Sequence, residues 1–390
     1  MTSFSASSVL KAASALAACV VLGCGPGDGS HEFNDGRAAF NAGDFKKAEK
    51  LLLKCAELSP TNVDALVYLS RIKLQSANIP EARGFLSRAE ALAGGDSDVR
   101  LLGAQIAWHA RDYAKAAELF SSVAADKSLD ARLRSQGWTG LGIVEGNREG
   151  PGLAQPDLAR IAFLRAIRLD RRNAAAYYHL GQLYRYPPFA YAEAALEQFE
   201  IFVRLDTESS STRVQKVQRS IIPELKEAIQ RRATERPGVS RRNSSASAGA
   251  LSRAETAVKK GNLKAARACY QEAIAADPLS FPAALGLAKT DLKIDPSVAG
   301  QKRAFESFRL ACSLSPSAVS TLIETGALAE KLANYAQARE IYSRAVAANP
   351  ASLDAVDGLI RSIRRAGGDK NVALAYQKYR ETLPVPKRRK

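Results

Sequence analysis

The apolar positions of this chain recur at a fixed spacing. Phe45, Ile79 and Tyr113 stand 34 residues apart, as do Ala48, Ala82 and Ala116, and so do Leu52, Leu86 and Phe120. Three columns keeping one period are a repeat signature, and the steps of three and four between columns place these side chains on one stripe of a helix. A C-terminal stretch shows the pattern most fully, with Ala338 and Ala345 on either side of Tyr342. Small side chains there leave gaps that a neighbouring helix can enter, and Pro350 then ends the helix. Leu322, Gly326 and Ala329 precede it.

Leu322, Gly326, Ala329, Asn334, Tyr335, Ala338, Tyr342, Ala345 and Pro350 together resemble a tetratricopeptide repeat, at positions 4, 8, 11, 16, 17, 20, 24, 27 and 32 of its 34-residue register. Gly261, Asn262, Ala266, Tyr270, Ala273 and Pro278 repeat the set; Ala304, Phe308, Ala311 and Pro316 repeat its second half; Trp138, Leu141 and Gly142, then Tyr177, Leu180, Gly181 and Tyr184, repeat its first. Nine units are counted. Extra residues fall around Gly150 to Pro156, at Pro187 and Pro188, and around Asp295 to Gly300, and such insertions are expected as loops.

The resemblance implies an all-α fold, an α-α superhelix in two arrays. About five repeats span 31–207 and about four span 251–383. Between them Val214, Val217, Ile221, Leu225 and Ile229, with Pro223 inside the pattern, predict a kinked capping helix over 208–233. Residues 234–250, rich in Ser, Arg, Gly and Pro, read as a basic linker, and 384–390 as a basic tail.

Ahead of the repeats, Ala12 to Leu22 is an apolar run behind Lys11, of a length that suits a secretory signal rather than a membrane span. It ends at Val21, Leu22, Gly23 and Cys24, which resemble the bacterial lipobox. The resemblance implies cleavage before Cys24 and its lipidation, hence residues 1–23 as signal peptide, 24–30 as a flexible tether, and an exported, lipid-anchored protein of the cell envelope, at the outer membrane facing the periplasm. Cys55, Cys269 and Cys312 sit at or beside small-residue positions of second helices and are read as packing.

Charge adds a second feature. Of the formal net charge of +16, residues 24–207 contribute nothing, whereas 208–250 hold nine basic and four acidic side chains and 361–390 hold ten and two. Arg361, Arg364 and Arg365 share a helix face, and Lys387, Arg388, Arg389 and Lys390 follow. This basic patch admits two readings, a solvated end or an anionic contact, and lipid headgroups suit a membrane-tethered chain. Export argues against nucleic acid. The three histidines lie far apart, and no metal, phosphate or nucleophile motif is present, so the chain reads as no enzyme, with no cofactor and no metal.

What remains is a surface. The resemblance implies a concave groove lined by first helices, binding a peptide or helix of a protein partner. Carried over, its positions are Phe33, Arg37, Phe40 and Asn41; Val67, Arg71 and Leu74; Gln105, Trp108 and His109; and Tyr178, Gln182, Arg185 and Tyr186. Phe40, Leu74 and Trp108 form an expected apolar strip, with Arg37, Arg71, Gln105 and Gln182 beside it. The competing expectation is that Phe40 and Trp108 pack inside.

Overall fold

The computed structural model describes residues 28–147, 155–206 and 212–384. Cys24, the preceding apolar run and the Lys387 to Lys390 cluster lie outside them. The described residues are all helix and turn, in consecutive packed pairs: α1 (Ser30–Asn41) with α2 (Phe45–Leu58), α3 (Val63–Gln75) with α4 (Ile79–Ala93), α5 (Ser97–His109) with α6 (Tyr113–Ala125), α7 (Ala131–Glu145) with α8 (Pro156–Leu169), and α9 (Ala174–Arg185) with α10 (Ala192–Leu205), where Tyr178 packs on Phe199 and Phe202. After α11 (Thr212–Lys216), a π-helical turn (Val217–Ile221) and α12 (Ile222–Thr234), four more pairs follow. They are α13 (Ser244–Lys259) with α14 (Leu263–Ala276), α15 (Phe281–Ile294) with α16 (Val298–Leu314), α17 (Val319–Lys331) with α18 (Tyr335–Ala348), and α19 (Leu353–Arg365) with α20 (Lys370–Arg380). Nine pairs match the nine units counted from the period.

The turn inside a pair is built the same way many times. Asp44, Asn78, Asp112, Asn262 and Asn334 each cap the second helix, accepting a hydrogen bond from the backbone N–H three residues on. The residue before the cap is left-handed: Gly43 and Gly261 at φ 82° and 75°, but also Ala77, Arg111 and Ala333 at 58°, 60° and 57°. Glycine takes this conformation without strain; the other three do not.

The position 24 column, Leu52, Leu86, Phe120, Phe163, Phe199, Tyr270, Phe308, Tyr342 and Tyr376, is at most 7% exposed throughout. Tyr342 shows why. A Cβ on Gly326, in the same repeat, would stand 2.8 Å from the Tyr342 ring, and one on Gly358, in the next, 2.3 Å from it. The ring is therefore clamped between two first helices, each admitting it by lacking a side chain. Gly140 against Phe120 and Gly286 against Tyr270 repeat the second contact.

The chain divides into two compact units, residues 1–176 and 177–390. The division falls within α9, between Ala176 and Tyr177, not in the stretch read as a linker. Of that stretch, residues 244–250 are the opening turns of α13, and Arg236 donates to Ser313 Oγ at 3.1 Å and to its carbonyl oxygen at 2.7 Å. Arg242 pairs with Asp277 at 2.9 Å. Serine and glycine content resembled a linker, yet Asn243 caps α13 and the arginines find partners. Residues 212–234 form two helical pieces around the π turn, and α12 and that turn pack on α10, burying Val214, Val217, Ile221 and Leu225. The extra residues around Asp295 lengthen α16 to 17 residues, where 14 is usual for a second helix here. That insertion is a helical turn rather than the expected loop, because Ser297 caps α16 early.

Candidate functional site

In the first unit the expected groove residues separate into two groups. Phe40 is 2% exposed, edge-on to Phe45 (5.5 Å) and Tyr68 (4.9 Å). Trp108 is 9% exposed and packs edge-on to Tyr113 at 5.2 Å. Leu74 packs on the same core as Phe40, and Val67 is buried in it. Position 12 closes a first helix against the large apolar residue that opens the second, Phe45, Ile79 or Tyr113, so Phe40, Leu74 and Trp108 are turn packing and do not form an open strip. Asn41 and His109 are exposed at the helix ends.

The other group stays on the surface and is connected. Phe33 is partly buried, with the Arg37 guanidinium 5.5 Å over its ring and Tyr68 edge-on at 6.1 Å. Arg71 lies 5.8 Å over Tyr68 and its Nη2 donates to Asp98 Oδ1 at 3.3 Å, crossing from the second repeat to the third. Gln105 is partly exposed two turns along from Asp98. Asp64, the counterpart of Asp98 one period earlier, is held above the usual carboxylate range by loss of water, then by Asp96 and Asp98, with Arg71 and Arg37 opposing. On this face α1 carries Phe33 and Arg37, α3 carries Asp64 at its start with Tyr68 and Arg71 on the following turns, and α5 carries Asp98 and Gln105. Such a face offers donors, acceptors and flat apolar area together. Sequence reading missed Tyr68 and Asp98; their signal was the repeat register itself, with Asp64 and Asp98 one period apart.

In the second unit, repeat five presents its face to the chain's own capping segment. The Arg213 guanidinium sits 4.8 Å over the Tyr178 ring, Gln182 Nε2 donates to Tyr178 Oη at 3.1 Å, and Arg185 pairs with Glu224 of α12 and reaches over Tyr186 at 5.2 Å. Loss of water and then Arg213 push the neighbouring His179 imidazole down to about 3. Tyr178, Gln182 and Arg185 are occupied from within the chain.

The basic residues of α19 also have partners. Arg361 Nη2 pairs with Glu330 at 3.1 Å, Arg364 Nη2 donates to Gln377 Oε1 at 2.7 Å, and Arg365 Nη1 donates to Tyr335 Oη at 3.2 Å. Spacing put them on one face, but did not reveal that α17, α18 and α20 supply the partners. Cys55 and Cys312 are buried free thiols, and Cys269 is a partly buried one. Among the described residues no group of three or more His, Cys, Asp and Glu side chains is placed to hold a metal, and no helix is long and apolar enough to cross a membrane.

Residues 39–106 and, separately, 251–290 match the sequence profile of the tetratricopeptide repeat. The chain carries tetratricopeptide repeats. The two matched stretches lie one in each unit, and the first spans the tetratricopeptide face formed by Tyr68, Arg71 and Asp98. Among solved structures, PilF of Pseudomonas aeruginosa is similar at 14% identity over 68% of this chain and 97% of that one (TM-score 0.39), and MamA of Desulfovibrio magneticus RS-1 at 17% over 48% and 100% (0.37). The Cut9–Hcn1 hetero-tetramer of the APC/C is similar at 13% over 90% and 78% (0.35). Scores this low add nothing to the repeat assignment. No curated protein matches the chain.

Proposed function

We propose that this chain is a non-enzymatic scaffold of the bacterial cell envelope, exported, lipidated at Cys24, and binding a protein partner through the first-unit tetratricopeptide face. Tetratricopeptide domains generally bind proteins, and the observation carrying the reading is the connected set of Phe33, Arg37, Arg71 and Asp98, which lies over the buried Tyr68 ring and crosses three successive repeats. A peptide or helix laid along it exchanges the solvated Arg71–Asp98 pair for its own polar groups while covering the half-buried Phe33 ring. The anchoring part of the reading rests on Val21 to Cys24 behind an apolar run.

The polyanion alternative has weaker support. Arg361 is already neutralised by Glu330, and Arg364 and Arg365 are held by Gln377 and Tyr335.

Photocrosslinking in the native cell tests the scaffold, with a photoreactive side chain at Phe33 or Gln105 and, for comparison, at Arg364. A discrete protein adduct from the first two, reduced by Arg71→Glu, is expected. Adducts confined to Arg364 and abolished by salt would instead favour the anionic reading. The anchor is tested by metabolic labelling with palmitate, expected in the wild type and absent in Cys24→Ala; equal labelling of both would remove Cys24 from the account.

A further inference from the structure

The second unit contains a cleft that the tetratricopeptide face does not use. It is lined by Tyr191, Glu193 and Glu197 from the start of α10, by Pro316 after α16, and by Glu340, Arg344 and Ala347 along α18. Tyr191 Oη and Ser343 Oγ stand 3.1 Å apart and fix one wall to the other. Glu193 has Arg232 at 3.9 Å, and Arg344 Nη2 is turned onto the Cys312 carbonyl oxygen at 3.3 Å. Glu197 and Glu340 form no ion pair among the described residues. Loss of water holds the Glu197 carboxyl above its ordinary range although Arg204 opposes this, so a cation brought to the cleft relieves an existing cost.

Two further observations select the occupant. The end of α20 is tied beside this cleft: Tyr379 Oη donates to the Pro350 carbonyl oxygen at 3.0 Å, just past the Ala347–Ala348 wall, and Leu383 is buried at 5% exposure. From there the sequence runs Pro384, Val385, Pro386, Lys387, Arg388, Arg389, Lys390. Four extended residues reach about 13 Å, and Glu340 lies eight residues back along α18 from Ala348, about 12 Å at 1.5 Å per residue. We infer that the cleft between α10 and α18 is the docking surface for the chain's own Lys387 to Lys390 run, whose cations pair with Glu197 and Glu340. The strongest block of positive charge is then consumed within the molecule. This inference stands apart from the scaffold reading, since it uses neither the Phe33 to Asp98 face nor Cys24.

Trypsin, which cuts after Lys387, Arg388 and Arg389, reads the docking directly in the full chain. Tail cleavage is expected to be about fivefold slower in the wild type than in the double variant Glu197→Lys, Glu340→Lys, as suits two exposed ion pairs, and the difference should vanish at about 0.5 M salt, where screening is nearly complete at ion-pair distances. Equal cleavage rates at low salt, with unchanged far-UV circular dichroism of the double variant, would overturn the inference. A photoreactive group at Val385 supplies the location: adducts within one chain to residues 189–197 or 340–348 are expected. Adducts to other surfaces, or only between chains, would assign the tail elsewhere and equally overturn it.

Discussion

The turn between the helices of a pair rests on one residue with a left-handed backbone. Gly43 meets no atom within 4 Å of a Cβ built on it, so Gly43→Ala tests backbone strain alone and is expected to cost about 1 kcal/mol. Ala333 occupies the same conformation at φ 57° with its side chain already present. Ala333→Gly is therefore expected to gain about 0.5 kcal/mol, the net of relieved strain and a freer unfolded chain; urea denaturation of the two variants should move in opposite directions. Gly358 poses the other kind of constraint. Its Cβ would meet Tyr342 at 2.3 Å, and that ring is 1% exposed and has nowhere to go. Gly358→Ala is expected to cost about 1–3 kcal/mol, and most of that should disappear in a Tyr342→Leu background, a coupling a double-mutant cycle reads.

Among elements, the segment from Thr212 to Thr234 shows where sequence pattern stops being informative. Its apolar spacing announced a helix, and Val214, Val217, Ile221 and Leu225 are buried as that spacing requires. Its polar side chains held the rest: Arg213 on Tyr178 and Glu224 on Arg185 fill a face that the repeat register offers to a partner. No spacing rule pairs two residues 39 apart in sequence. Phe40 and Trp108 were ambiguous for a related reason, since position 12 faces the groove in register but meets Phe45 or Tyr113 across the turn. The capping contact carries a pH signature. His179 stays neutral in the folded protein down to about 3, whereas the unfolded chain takes up a proton near 6.5. Stability from this group is present above pH 6.5 and is lost as pH falls toward 3. Denaturant midpoints measured from pH 7 to pH 4 should fall, and fall less in His179→Gln; parallel slopes would show that the imidazole is not the source.

For the molecule as a whole, the period, the number of helix pairs and the all-α class were legible because one contact set recurs every 34 residues. The location of the division was not, because it falls inside α9 and leaves no compositional mark. Both tryptophans, Trp108 and Trp138, belong to the first unit. Their fluorescence therefore follows that unit while far-UV circular dichroism follows every helix, and repeat arrays are coupled only through neighbours. The two denaturation curves are expected not to coincide; superimposable curves would make the chain a single cooperative body. Finally, the buried side chain of the position 24 column varies in volume: leucine at 52 and 86, phenylalanine at 120, 163, 199 and 308, tyrosine at 270, 342 and 376. Where such a side chain lies between two first helices, as Tyr342 does, it is a wedge between neighbouring rods, so the spacing of adjacent repeats is tuned locally, one residue per repeat.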